Sequence, residues 1–174
     1  KDPHKGDKTR LETWRALEHL YERGLVRYIG VSNFTEEHLE GFLPQCVVVP
    51  HVNQVEFHPR CFQKTLLSFC TANSIRMQAY APFGSGTGIS ANLTDETVTQ
   101  IAQRLARTPA EVLLRWALQH CGSAVLGSSN TQHMQTNKGA RDFALTPGDM
   151  AAVDAISGNG TANTHFCWDP SSVP

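Results

Sequence analysis

Asn33 and Gln54 carry the side chains best suited to hold a ligand carboxamide. Each bears an amide that can donate and accept hydrogen bonds at once. Both belong to short apolar stretches: Tyr28-Ile29-Gly30-Val31 runs into Ser32-Asn33, and Gln54 lies within Val52-Asn53-Gln54-Val55-Glu56-Phe57. Tyr80, near the end of a third such stretch, offers a flat face on which a planar ring can stack. Ser128 and Ser129 precede a helix start, where backbone N–H groups and the positive dipole end attract phosphate. A carboxamide, a flat ring and phosphates together describe a nicotinamide dinucleotide. Each residue also has a plainer role. Ser32-Asn33 fits a turn with a helix cap, Asn53-Gln54 fits a pair of satisfied core amides, Tyr80 fits a core aromatic, and Ser128-Ser129-Asn130 fits simple capping. Glu56 and His58 suit acid–base or metal chemistry. No second histidine stands at ligand spacing from His58, so no metal site is expected. Gly84-Ser85-Gly86 is no phosphate loop, because no Gly-Lys-Ser/Thr follows.

The elements that must position these residues repeat one plan: a short apolar strand, polar residues at its end, then a helix. Strands are expected near 26–31, 52–57, 76–81 and 123–126, the first of them buried. Residues 1–8 read as a solvated loop. A helix starts at about Thr9, with Leu11, Trp14, Leu17, Leu20 and Tyr21 on one face, and Gly24 stops it. Further helices are expected over 35–43, 62–73 and 94–107, from Pro109 to about His120, over 131–138, and after Thr146-Pro147-Gly148-Asp149. Val47-Val48-Val49-Pro50 is apolar but reads as an extended connector, because Pro50 removes a ladder donor. Residues 82–88 read as an irregular, mobile loop, and the tail from Ser157 shows no periodicity. Trp14 and Trp116 read as core packing. Repeated strand–helix units imply an α/β fold with a parallel sheet and right-handed crossovers. Four such strands fit a small open sheet or half of an eight-stranded barrel. In either case the polar strand ends share one face, where ligands bind in parallel α/β proteins.

Composition sets the outer bounds. The chain has 174 residues, 40% hydrophobic and 18% charged, with a net charge of −1. That balance gives no global field to steer nucleic acid or an anionic membrane. No apolar run reaches the roughly 20 residues of a membrane span. Five cysteines without a Cys-x-x-Cys pair read as thiols in a reducing, cytoplasmic setting. The chain opens on Lys1 within a charged run, as a piece of a longer protein would.

At its polar strand ends the sequence resembles the aldo-keto reductase family. The likeness rests on Glu12-Thr13-Trp14-Arg15-Ala16-Leu17-Glu18 followed by Gly30-Val31-Ser32-Asn33-Phe34, and on Asn53-Gln54-Val55-Glu56-Phe57-His58-Pro59. It extends to Ala79-Tyr80-Ala81-Pro82-Phe83-Gly84, to Thr108-Pro109-Ala110-Glu111-Val112-Leu113-Leu114-Arg115-Trp116, and to Ser128 through Asn137. The resemblance implies a parallel (β/α)8 TIM-type barrel. This chain would supply roughly its second half, strands five to eight with their helices, with 157–174 as the C-terminal loop. It also implies NADPH or NADH as cofactor and reduction of small aldehydes or ketones to alcohols. By position, Ser32, Asn33 and Gln54 would hold the nicotinamide carboxamide, and Tyr80 would stack on its ring. Phe83 and Ser85 would touch the pyrophosphate, and Ser128, His133 and Asn137 the adenosine end. Phe166, Cys167 and Trp168 would lie at the substrate pocket.

Two departures from the family pattern stand out. Gly127 occupies a position where the family usually has Lys, and His133 one where it usually has Arg. Both cations normally pair with the 2′-phosphate of NADPH, so the family's lean toward NADPH is weakened here. The family's catalytic Asp, Tyr, Lys and His belong to the first half of the barrel, and none is matched in this chain. No catalytic residue is therefore assigned, and the chain alone is expected to be inactive. The alternative is a non-catalytic nucleotide-binding module or subunit built on the same barrel.

Overall fold

A computed structural model describes residues 5–172. The element order is α1 (Lys5–Glu22), β1 (Gly30–Ser32), α2 (Glu36–Phe42), β2 (Val52–Glu56), α3 (Lys64–Ala72), β3 (Arg76–Tyr80), α4 (Thr87–Leu93), α5 (Glu96–Arg104), α6 (Pro109–Cys121), β4 (Ala124–Val125), α7 (Thr131–Gly139) and α8 (Pro147–Asp154). The sheet has the strand order β1-β2-β3-β4. β1 runs parallel to β2 with Ser32 opposite Gln54, and β3 runs parallel to β4 with Tyr80 opposite Val125. The α/β reading with a parallel sheet therefore holds. The described residues divide into two compact units, one formed by 5–55, 65–77 and 169–172, the other by 56–64 and 78–168.

In the first unit α1 supplies the core. Trp14 packs with Ile29 and Phe42, and Leu11, Leu17 and Tyr21 gather around them. The helix stops as Gly24 predicts: with φ +67°, Gly24 donates to Tyr21 O and Leu25 donates to Leu20 O. This pair of bonds closes the last helical turn. The start differs from expectation. Helix already covers residues 5–8, where a loop is expected, while residues 1–4 of that loop lie outside the described residues.

Val47 to Val49 forms no strand, and Glu18 supplies the reason. This buried glutamate on α1 accepts the N–H groups of Val47 (2.7 Å) and Val48 (2.9 Å). Trp14 Nε1 donates to Val48 O at 3.1 Å. The connector's polar groups thus bond to α1 side chains rather than to a ladder.

The first strand needs correction. It is only three residues long, and Tyr28 is 72% exposed. Among the described residues β1 is an end strand paired with β2 alone. In the stretch before it residues 26–28 are exposed, and only Ile29 is buried. Gly30 is required by proximity, since a Cβ there would stand 2.6 Å from Val52 O.

The second unit packs around aromatics. Phe57 stacks on Trp116 at 4.9 Å, and Phe62 meets Trp116 edge-on at 5.4 Å. Asp154 accepts from Trp116 Nε1 (2.7 Å) and pairs with His120 Nε2 (2.8 Å). Trp14 and Trp116 are core residues, as expected. Helices α6 and α8 open with Thr108–Glu111 and Thr146–Asp149 capping boxes, and Asn130 caps α7 through Gln132 N and His133 N. The irregular stretch after β3 is shorter than the sequence suggests: Thr87 already opens α4. The glycines that hide this helix have steric reasons. Gly86 turns the chain at φ +54°, and a Cβ on Gly88 would strike the Phe166 ring at 2.2 Å. No helix among the described residues is long and apolar enough to cross a membrane.

Candidate cofactor and substrate site

In the first unit, Ser32, Asn33 and Gln54 meet at the C-terminal end of β1. Ser32 Oγ and Asn33 N both donate to Gln54 O at 2.9 Å. Asn33 adopts φ +59°, a left-handed turn that asparagine tolerates better than most residues. The chain then enters α2 through Thr35, whose hydroxyl and the His38 ring form a reciprocal cap. Behind this turn, buried Asn53 donates from Nδ2 to Phe34 O at 2.8 Å and accepts from Phe34 N at 3.3 Å. The two amides of Asn53-Gln54 therefore divide their work: Asn53 braces the turn from the core, while Gln54 is only half-buried.

In the second unit, Tyr80 ends β3 and is half-buried. The next residue, Ala81, sits at φ +47°. A non-glycine residue is strained there, and the strain accompanies the sharp turn into Pro82-Phe83. Phe83 and Ser85 lie just beyond. Asn92 of α4, fully buried, donates to Phe83 O at 3.2 Å and so fixes this turn. The tail comes to the same place: the Cys167 thiol interacts with Ser85, and Phe166 lies against Gly88. Trp168 is about half exposed.

Ser128, His133 and Asn137 lie at the α7 start and along that helix. Ser128 Oγ accepts from Asn130 N at 3.1 Å, so the serine takes part in the turn. Asn130 Oδ1 covers the N–H groups of Gln132 and His133. His133 is exposed and Asn137 half-buried, and α7 has no buried residue.

One constellation was not legible from spacing. Glu56, at the end of β2, is buried, and its Oε1 accepts from His58 Nε2 (3.0 Å), Phe166 N (2.8 Å) and Cys167 N (3.0 Å). Its Oε2 pairs with His165 Nδ1 at 2.9 Å. Burial pushes the carboxyl pKa up, but the bonds from His165, His58 and the Phe166 N–H outweigh it and hold Glu56 well below the ordinary glutamate range. His58 is fully buried, stacks on Phe166 at 5.2 Å, and has no hydrogen-bond partner at Nδ1. Sequence inspection singled out Glu56 and His58, but their partners lie more than 100 residues away. No disulfide joins the five cysteines. Burial pushes the Cys46 and Cys70 thiols up to about 11, so neither is a thiolate nucleophile at neutral pH.

Comparison with known proteins gives the family. The model of the Aldo/keto reductase family matches residues 2–158. The chain belongs to the aldo/keto reductase family. This aldo/keto reductase chain is 42% identical to glyoxal reductase of Bacillus subtilis (strain 168) over 146 residues, which cover 84% of it and 51% of that relative. It is 40% identical to 9,11-endoperoxide prostaglandin H2 reductase of Trypanosoma cruzi (strain CL Brener) over 154 residues, 87% of the chain and 53% of that relative. The chain spans about half the length of the curated relatives it matches. Among solved structures it is similar to a mutant of Gox0644 in complex with NADPH. That likeness has a TM-score of 0.85 and 35% identity, over 99% of this chain and 61% of that one. Gox0644 in its apoform gives a TM-score of 0.84 at 36% identity, over 97% of this chain and 59% of that one.

Proposed function

We propose that residues 1–174 are the cofactor-gripping C-terminal part of an NAD(P)H-dependent barrel enzyme that reduces aldehydes or ketones to alcohols. They would supply strands five to eight with their helices, and 157–174 would form the C-terminal loop. One observation carries this reading. At the β1–β2 register Ser32 stands opposite Gln54, and the chain turns there through left-handed Asn33, which sets two amides and a hydroxyl at one strand end. Amides donate and accept together, so this grouping fits the carboxamide of a nicotinamide. Family membership supports the same assignment.

The other roles follow by position. Tyr80 would stack on the nicotinamide ring and leave one ring face open. Phe83 and Ser85, on the turn held by Asn92, would contact the pyrophosphate. Ser128, His133 and Asn137 would receive the adenosine end, and Phe166 and Trp168 would border the substrate. Bound in this way, the cofactor would supply a hydride to a carbonyl carbon. The carbonyl oxygen also needs a proton from a positioned acid. We assign that acid to no residue of this chain, since Tyr80 is committed to the ring, so the 174 residues by themselves should turn over no carbonyl. NADPH is the preferred cofactor by family. Gly127 offers no cation to a 2′-phosphate, and His133 is the one candidate among the assigned residues, so the margin over NADH should be small.

Tryptophan fluorescence titrated with NADPH and then NADH tests the reading, with half-exposed Trp168 as the most accessible reporter. Saturable quenching by either dinucleotide is the expected result. Absence of saturation by both, in a chain that melts cooperatively, would overturn it. Oxidation of NADPH by the isolated chain in the presence of a small aldehyde would overturn the assignment of no acid.

A further inference from the structure

We propose that Glu56, Cys61 and His165 form a zinc site that fastens the C-terminal segment to the end of β2. The proposal is independent of the cofactor reading. Among the described residues these three place one ligand atom each within 4.8 Å of the others. Cys61 Sγ stands 3.6 Å from His165 Nδ1, and Nδ1 stands 2.9 Å from Glu56 Oε2. With Zn–S of about 2.3 Å and Zn–N of about 2.05 Å, the S···N edge of a tetrahedral site is about 3.6 Å, which the Cys61–His165 pair already matches. The N···O edge would be about 3.3 Å, so the hydrogen-bonded Glu56–His165 pair need open by only about 0.4 Å as the ion takes the place of the shared proton.

The surroundings suit an ion. A thiolate, a carboxylate and a neutral imidazole balance the charge of a divalent cation, and sulfur with imidazole favours zinc over magnesium or calcium. Binding would release the Cys61 thiol proton and place the remaining imidazole proton of His165 on Nε2. Glu56 is held ready from outside the cluster: His58 Nε2 and the N–H groups of Phe166 and Cys167 fix Oε1 and leave Oε2 toward His165. Cys61 is brought back beside Glu56 by a tight turn in which Cys61 N donates to His58 O at 2.8 Å. Glu56 and Cys61 are buried, while the His165 side chain keeps 19% exposure. That opening gives the ion an entry and a water a fourth coordination position. Thr164 N donates to Arg60 O, so the tail is already laid along this turn before any ion arrives.

The test is zinc titration of the reduced, metal-free 174-residue chain in competition with a chromophoric chelator, followed by cobalt(II) substitution. The expected result is one equivalent of tight zinc and a thiolate-to-cobalt charge-transfer band. Cys61→Ser should abolish the band. Cys61→Ser and His165→Asn should each weaken zinc by at least the roughly 10- to 100-fold seen when a mere outer-shell partner is lost, while Cys46→Ser should bind as the parent does. If Cys61→Ser fails to fold by circular dichroism, His165→Asn decides, because that ring is partly exposed whereas Cys61 is fully buried. Absence of a stoichiometric site, or zinc binding by His165→Asn equal to the parent's, would overturn the proposal.

Discussion

At the scale of single residues, the two most informative side chains are Gln54 and Glu56. Gln54→Ala removes the side chain proposed to hold the nicotinamide carboxamide, while its backbone carbonyl still receives Ser32 and Asn33. Dinucleotide binding should weaken by about tenfold, the worth of one or two lost hydrogen bonds. Fluorescence titration of the variant measures the loss. Glu56 makes a different prediction. Its carboxyl is held below the ordinary value of 4.5, so the unfolded chain takes up this proton at a higher pH than the fold does. Stability from this group is therefore fully present above that value and is lost as pH falls below it toward the folded pKa. Facing groups are His58 and His165, with the Cys61 and Cys167 thiols beside them. Thermal melts between about pH 6 and 3 should show a flatter acid limb in Glu56→Gln than in the parent. Superimposable slopes would show that Glu56 has no such linkage.

At the scale of elements, caps and close approaches decide local stability. The Thr108 hydroxyl accepts from Glu111 N, and Glu111 Oε2 accepts from Thr108 N, which closes the start of α6. That helix carries Trp116 into the aromatic cluster, so its loss would spread. Thr108→Ala should cost about 1 kcal/mol, read as a lower denaturation midpoint with an unchanged slope. Gly30→Ala should cost more, about 1–3 kcal/mol, because its methyl meets the Val52 carbonyl and the strands must part. Since Ser32 and Gln54 sit two residues further along the same register, the strand separation that lowers stability should also loosen the proposed carboxamide grip.

At the scale of the whole molecule, the exposed apolar side chains are the dominant feature. In the first unit Leu25, Tyr28 and Val47 are each at least 60% exposed, and Tyr28 lies just before the end strand β1. In the second, Val125 of β4 is 45% exposed on the other end strand. Bare sheet edges with apolar neighbours invite pairing. Sedimentation velocity over a range of concentrations should show self-association, and Tyr28→Lys should reduce it. A chain that stays monomeric at every concentration would contradict this expectation.

The sequence by itself determined most of what depends on short-range patterns. Gly24, Thr108-Pro109, Asn130 and Thr146-Pro147 punctuate the helices as read, because caps act within a few residues. The strand–helix repeat announced a parallel α/β sheet, and the strand-end motifs announced the family. Tertiary structure decided whatever depends on distant partners. The segment before β1 looks buried in the sequence, yet residues 26–28 are exposed in the fold. Gly88 looks like loop until Phe166 needs its space. Most clearly, Glu56 and His58 looked like an isolated pair, because His165 is 109 residues from Glu56. Periodicity and capping register neighbours along the chain, whereas a buried carboxylate chooses its partners from whatever the fold brings within hydrogen-bond reach.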